Sequence, residues 1–232
     1  MMEPDEGLRV GAVGVPTAPE TARPIPWEDP DLPRPAALGR TLRELLFTPQ
    51  AFFQRLGPDD WAEALAFGLI TGTAGFLACL FWGALFYAAV SRPLGQAWGV
   101  PQVYGLGIGI AIFLMLLSPV IALGNQGFGA FCLWLAAALT GAGRDFNPAW
   151  RIYSYAQGAM VAAFIPFLGL PLSGLWVLFL VYLGVQAAFQ TSRWRTLGVL
   201  ALFLLLQGVL LTLLMGILLA SLALLGFLLF LG

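Results

Sequence analysis

From Ala64 to the last residue, Gly232, the chain carries ionised side chains only at Arg92, Arg144, Asp145, Arg151, Arg193 and Arg195. The uncharged stretches between them, 93–143, 152–192 and 196–232, are each longer than the roughly 20 apolar residues a helix needs to cross the hydrocarbon core. A water-soluble fold cannot hide so much uncharged chain. The whole sequence is 59% hydrophobic in type and 10% charged, where a soluble domain carries about a quarter. The class predicted is an all-α integral membrane helical bundle of about five transmembrane helices.

The same scarcity limits chemistry. There is no His, and every basic residue is Arg. A rhomboid-like protease needs His beside Ser, a zinc protease needs His ligands, and an aspartyl protease needs two Asp within spans. Beyond Glu63 the single acidic residue is Asp145. No catalytic, cofactor-binding or metal-binding residue is expected, and no enzymatic activity. Cys79 and Cys132 fall in apolar runs, where thiols behave as small hydrophobes. Nucleic acid is not an expected partner, because the polar N-terminal part is acidic. The opening MMEPDEGLRV lacks the basic-then-apolar order of a secretory signal, so the first span is expected to direct insertion.

Residues 1–36 are Pro-rich and acidic, a composition expected to form a disordered cytosolic tail. In 37–60, Leu42, Leu45, Leu46, Phe52, Phe53 and Leu56 alternate with Arg40, Arg43, Glu44, Gln54 and Arg55. This pattern predicts an interfacial amphipathic helical segment interrupted at Thr48-Pro49, or a cap on the bundle. The bundle, 61–232, divides into spans at about 64–90, 103–141, 148–168, 172–189 and 196–222, the last with an extension. Asn147-Pro148 is the expected cap and first turn of the third span, and Gly169-Leu170-Pro171 the tight reversal after it. At about 1.5 Å per residue, 103–141 is too long for one perpendicular crossing. It is either one span broken near Ser118-Pro119 or Gly124-Asn125-Gln126-Gly127, or a hairpin. The single span gathers Arg34, Arg40, Arg43, Arg55, Arg144, Arg151, Arg193 and Arg195 on one side and leaves Arg92 on the other, as the positive-inside rule asks. It is therefore preferred, with the protein multi-pass in the inner (plasma) membrane and its N-terminus cytoplasmic. Trp61, Trp150 and Trp194 then mark the cytoplasmic ends, and Trp98 and Tyr104 the opposite face.

Three residue sets are candidates for a role. Gly68, Gly72, Gly75 and Gly83, with Cys79, share one helical face and predict close helix packing, within the chain or in a homo-oligomer. A second stripe, Gly208, Thr212, Gly216, Ala220 and Ala223, argues for one continuous last helix. Arg144, Arg151, Tyr155, Arg193 and Arg195 cluster at one membrane surface, where planar guanidinium groups match an anionic lipid headgroup; setting topology is the competing role. Asn125, Gln126, Gln157, Gln186 and Gln207 are intramembrane amides, joined by Gln190. They serve either as interhelical hydrogen bonds of order 1 kcal/mol or, if they converge on a cavity, as the lining of a pathway.

The order of features resembles a known family. A Pro-rich tail carries Pro26-Trp27-Glu28-Asp29; Leu46-Phe47-Thr48-Pro49 and Phe52-Phe53 follow. The third span opens on Phe146-Asn147-Pro148-Ala149-Trp150-Arg151-Ile152-Tyr153-Ser154-Tyr155-Ala156 and ends in Ile165-Pro166. Gly174-Leu175-Trp176 and Gly184-Val185-Gln186-Ala187-Ala188 mark the fourth. Over roughly residues 38–215 this is similar to the bacterial branch of the Yip-one (Ypt-interacting protein) domain family. The resemblance implies five spans, a cytosolic N-terminus and no catalytic activity. Eukaryotic relatives bind prenylated Rab-type GTPases; that partner is not transferred to this chain, whose all-Arg, Ala/Leu/Gly-rich composition suits a GC-rich bacterial genome.

The function expected is non-enzymatic: membrane organisation, or interaction with membrane lipids or a protein partner at the cytosolic face. The alternative is a small transporter, channel or lipid-moving protein. Paired amides and no cavity favour the first; a groove lined by Gln157, Gln186 and Asn125 favours the second.

Overall fold

The computed structural model describes residues 24–57, 61–98 and 102–231. Helix α1 (Arg34–Phe47) and helix α2 (Pro49–Gln54) are separated at Thr48, and each has proline in its first turn, where its missing N–H is no loss. Then come α3 (Trp61–Trp98), α4 (Gln102–Leu116), α5 (Ser118–Leu139), α6 (Phe146–Ala156), a 3-10 helix (Gln157–Phe164), α7 (Gly169–Ala188) and α8 (Arg193–Leu231). Among the described residues, four helices are long and apolar enough to cross a membrane: α3 over Trp61–Val90, α5, α7, and α8 over Arg193–Ser221.

Helix α3 is the axis to which the rest is registered. A methyl at Gly68 would touch Gln126, one at Gly72 would touch Ala122, and Gly107 lies under the Tyr87 ring. As residue numbers rise on α3 they fall on α4 and α5, so these two helices run antiparallel to α3 as one broken pass. Residues 103–141 are thus not a hairpin. The break is at Leu117, just before Ser118-Pro119, and the ladder continues around it through Leu117 N–H to Phe113 O (3.1 Å) and Ile121 N–H to Leu117 O (3.0 Å).

Helix α5 ends because Gly141 takes a φ of 67°. Gly141 N–H bonds Ala138 O and Ala142 N–H bonds Ala137 O, the paired closure that a left-handed glycine permits. The next pass starts two residues earlier than the Asn147-Pro148 signal indicates. Its N-cap is Asp145, whose side chain makes no capping bond, and Phe146 opens the helix.

Beside α3 this pass runs parallel. Gly68 faces Ser154 O, Gly75 faces Met160, and Trp82 Nε1 donates to Phe164 O at 3.3 Å. Its 11 α-helical and 8 3-10 residues rise about 16 Å each at roughly 1.5 and 2.0 Å per residue. The tighter winding lets a short segment reach as far as a longer α-helix would.

The reversal that follows corrects the expected turn at Gly169-Leu170-Pro171. It lies at residues 165–168, with Phe167 at φ 61°, and α7 already starts at Gly169. Gly169 is wedged against Ala162 and Ala163, leaving no room for a side chain. The tip is apolar and open, Phe167 being 79% exposed. It meets α3 at Phe86, with ring centroids 6.3 Å apart, while α3 runs on to Trp98, about a further 18 Å. The hairpin of α6, the 3-10 helix and α7 is therefore shorter than α3.

The N-terminal segment departs from expectation. Residues 1–23 lie outside the described residues, but the expected tail does not extend to 36: Ile25 and Trp27 are buried in the same core as Leu45, Phe52, Phe53, Phe67 and Tyr155. An apolar pair within a Pro-rich segment suffices to dock it. Of the other expectations, the side chains of Arg92, Trp98, Tyr104 and Ala223 lie outside the described residues.

Candidate functional site

Helix α6 is buried along most of its length and carries two polar pairs. Arg151 and Tyr155 are one turn apart, as are Tyr153 and Gln157. The pairs are offset by two residues, about 200° around the helix, and so face opposite ways.

The first pair faces the N-terminal segment. Arg151 is 1% exposed. Its guanidinium donates to Gly57 O and forms a salt bridge with Glu28, and Tyr155 OH donates to the same Glu28 Oε1 at 2.5 Å. Arg151 Nε has no hydrogen-bond partner. Around this centre, Trp27 Nε1 donates to Glu63 O (2.7 Å) and Trp27 packs edge-on to Phe67. Arg34 stacks on the Trp27 ring and grips Glu63 with two bonds of 2.8 Å. That carboxylate raises the Arg34 guanidinium further above its ordinary value. The Phe52 and Phe67 rings close over Tyr155.

This geometry corrects the expected headgroup cluster. Arg151 and Tyr155 are internal and committed to Glu28, because a buried charge must be paired. Arg144, Arg193 and Arg195 are exposed at the same end, Arg195 also donating to Thr140 O. Arg40, Arg43 and Phe47 are exposed there on α1, with Trp61 and Trp194.

The second pair faces a groove of about 680 Å³ walled by α3, α5, the 3-10 helix, α7 and α8. Tyr153 lies at its base, its ring against Gly129, where no larger residue would fit. The side chains of Gln207, Gln157 and Asn125 line the groove together with Tyr153. Towards the hairpin tip the lining turns apolar: Phe76, Met160, Pro171 and Leu175. Three of the five expected amides thus converge. The other two do not: Gln126 is buried elsewhere, donating to Ser154 Oγ, and Gln186 is half-buried on α7 away from the groove. Gln190 is exposed in the turn before α8.

The glycine stripe divides likewise. A methyl at Gly68 would sit 2.8 Å from Ser154 O and one at Gly75 2.5 Å from Met160 Cβ, so both pack within the chain. Gly72 lines the groove. Gly83 has nothing within 4 Å and is not part of that packing; Gly208 and Gly216 of the second stripe are equally open.

Sequence reasoning missed Glu28 and Tyr153. The available signals were Ile25 and Trp27, which are out of place in a solvated tail, and the one-turn spacing of Tyr153 from Gln157. Among the described residues no three His, Cys, Asp or Glu side chains cluster.

The family model of the Yip1 domain matches residues 43–215, well over half of the chain. The match is to the domain as a whole and does not single out a bacterial branch. No curated protein matches, and no solved structure matches.

Proposed function

Since the chain belongs to the Yip1 domain family, a polytopic membrane protein by its apolar helices, we propose that it acts without catalysis, by holding lipids or a protein partner at a membrane. Its N-terminal layer lies on the cytoplasmic side of a bacterial inner membrane. The observation that carries this reading is the Glu28–Arg151–Tyr155 lock. It neutralises the charge buried in the bundle, which is then not free to shuttle a proton or ion. It also fixes a rigid end with outward arginines and aromatics suited to anionic headgroups.

A second role, moving lipid, is favoured by the groove. One reconstitution separates them. In vesicles of phosphatidylethanolamine and phosphatidylglycerol, the protein is expected to enrich phosphatidylglycerol around itself, and Arg40→Ala with Arg193→Ala to abolish that enrichment. Transbilayer movement of a fluorescent phospholipid that stops on Asn125→Leu with Gln157→Leu would establish the lipid-moving role instead.

A further inference from the structure

The groove has a built polar end and an apolar end. Four elements supply the polar end: Tyr153 from α6, Gln157 from the 3-10 helix, Asn125 from α5 and Gln207 from α8. Tyr153 and Gln157 are each 4% exposed, so their polar atoms face the groove or one another. None of the four is ionised. Arg151 is on the opposite face of α6 and already neutralised by Glu28. Ionised ligands would therefore enter without a counter-charge, a costly transfer from water or headgroups.

The opposite end, at Phe76, Met160, Pro171 and Leu175, offers no hydrogen-bonding side chain. The groove also opens sideways: Asn125 on α5 and Leu175 on α7, from two of its walls, are both exposed. At about 680 Å³ it lies within the roughly 300–1,000 Å³ of ligand-sized sites.

We propose that this groove binds an uncharged lipid, its hydroxyl or carbonyl head held by Tyr153, Gln157, Asn125 and Gln207 and its chain directed past Leu175 into the bilayer. The site rests on the lipid-binding role proposed above and gives it a place and a ligand class. Amides and a phenol supply both donors and acceptors, which suits a diglyceride-like head that offers both.

The test is photo-crosslinking of the full chain in nanodiscs with a diacylglycerol bearing a photoreactive acyl chain, against a phosphatidylglycerol bearing the same chain. Diacylglycerol is expected to label groove residues of α7 in preference. Tyr153→Phe should lower that labelling about tenfold, the upper end for one lost neutral hydrogen bond. Gly174→Leu is an independent variant: nothing lies within 4 Å of a methyl there, so the added side chain is tolerated by the fold while it fills the groove, and labelling should be lost. Equal labelling in wild type and Gly174→Leu overturns the site. Preferential phosphatidylglycerol labelling in the groove overturns the uncharged ligand but leaves the lipid-binding role standing. Phosphatidylglycerol enrichment at the arginine-rich end reads out that role separately.

Discussion

At the scale of single residues, the buried guanidinium of Arg151 sets the largest stake. Its partner Glu28 is on the N-terminal segment and has a side chain 18% exposed, against 1% for Arg151. The two are therefore not equivalent. Glu28→Ala strands a charge in the core, which costs about 3–5 kcal/mol. Arg151→Met leaves a carboxylate that can still reach water, and should cost less. Replacing both by Met should recover most of the loss, because no buried charge is left unpaired and only the neutral Tyr155 hydroxyl and Gly57 O lose a partner. Thermal unfolding of the three variants in detergent checks the order, and chymotryptic cleavage after Trp27, which is buried while the segment is docked, reports whether the segment has come off. Spacing alone pairs Arg151 with Tyr155. It could not supply Glu28, more than a hundred residues earlier, because no local rule links a tail carboxylate to a helix it reaches only after folding.

At the scale of elements, legibility followed how local the cause was. Pro49 and Pro119 punctuate α1/α2 and α4/α5 through their own φ restriction and missing N–H, so those breaks are readable in sequence. The reversal before α7 is not, because it depends on Gly169 seating against Ala162 and Ala163 and on a 3-10 helix whose composition looks like any apolar helix. The stripe on α3 shows the same limit: periodicity gives one face of a helix, but not how far along it a neighbour extends. Gly75 lies against Met160, whereas Gly83 has open space. Gly75→Ala is expected to destabilise by about 1–3 kcal/mol through overpacking. Gly83→Ala should be neutral, or stabilising by up to about 1 kcal/mol from reduced backbone entropy. Thermal melts of the two single variants compare them directly, and equal losses would mean that the 3-10 helix does not pack on α3.

At the scale of the molecule, the length of α3 against the short hairpin decides where the bilayer lies. The apolar part of α3, Trp61–Val90, is about 45 Å long, more than a hydrocarbon core of about 30 Å. The polar end, with Glu28, Arg34 and Arg151, sits at or above one interface, beside Glu63 of α3. The hairpin tip meets α3 at Phe86, about 35 Å further along the helix, and so reaches the far edge of the core. Its side chains agree: Phe164, Ile165, Phe167, Leu168 and Leu170 are all exposed, a poor surface for water and a good one for lipid. Its backbone agrees too. Ile165 N–H bonds Ala162 O, Leu168 N–H bonds Pro166 O and Gly169 N–H bonds Ile165 O, so these donors need no solvent. The crossings are then α3, the broken α4–α5 pass, α6 with the 3-10 helix, α7 and α8: α3, α5, α7 and α8 are each long and apolar enough, and α6 with the 3-10 helix rises about 32 Å. In a Cys79→Ala, Cys132→Ala background, Asp145→Cys and Ser192→Cys, both at exposed positions, should react with a membrane-impermeant maleimide from the side that also labels Gln50→Cys. Phe167→Cys should react from the opposite side. Labelling of position 167 from neither side, with a membrane-soluble maleimide still reaching it, would instead mean that the hairpin stops inside the hydrocarbon and that three passes cross completely.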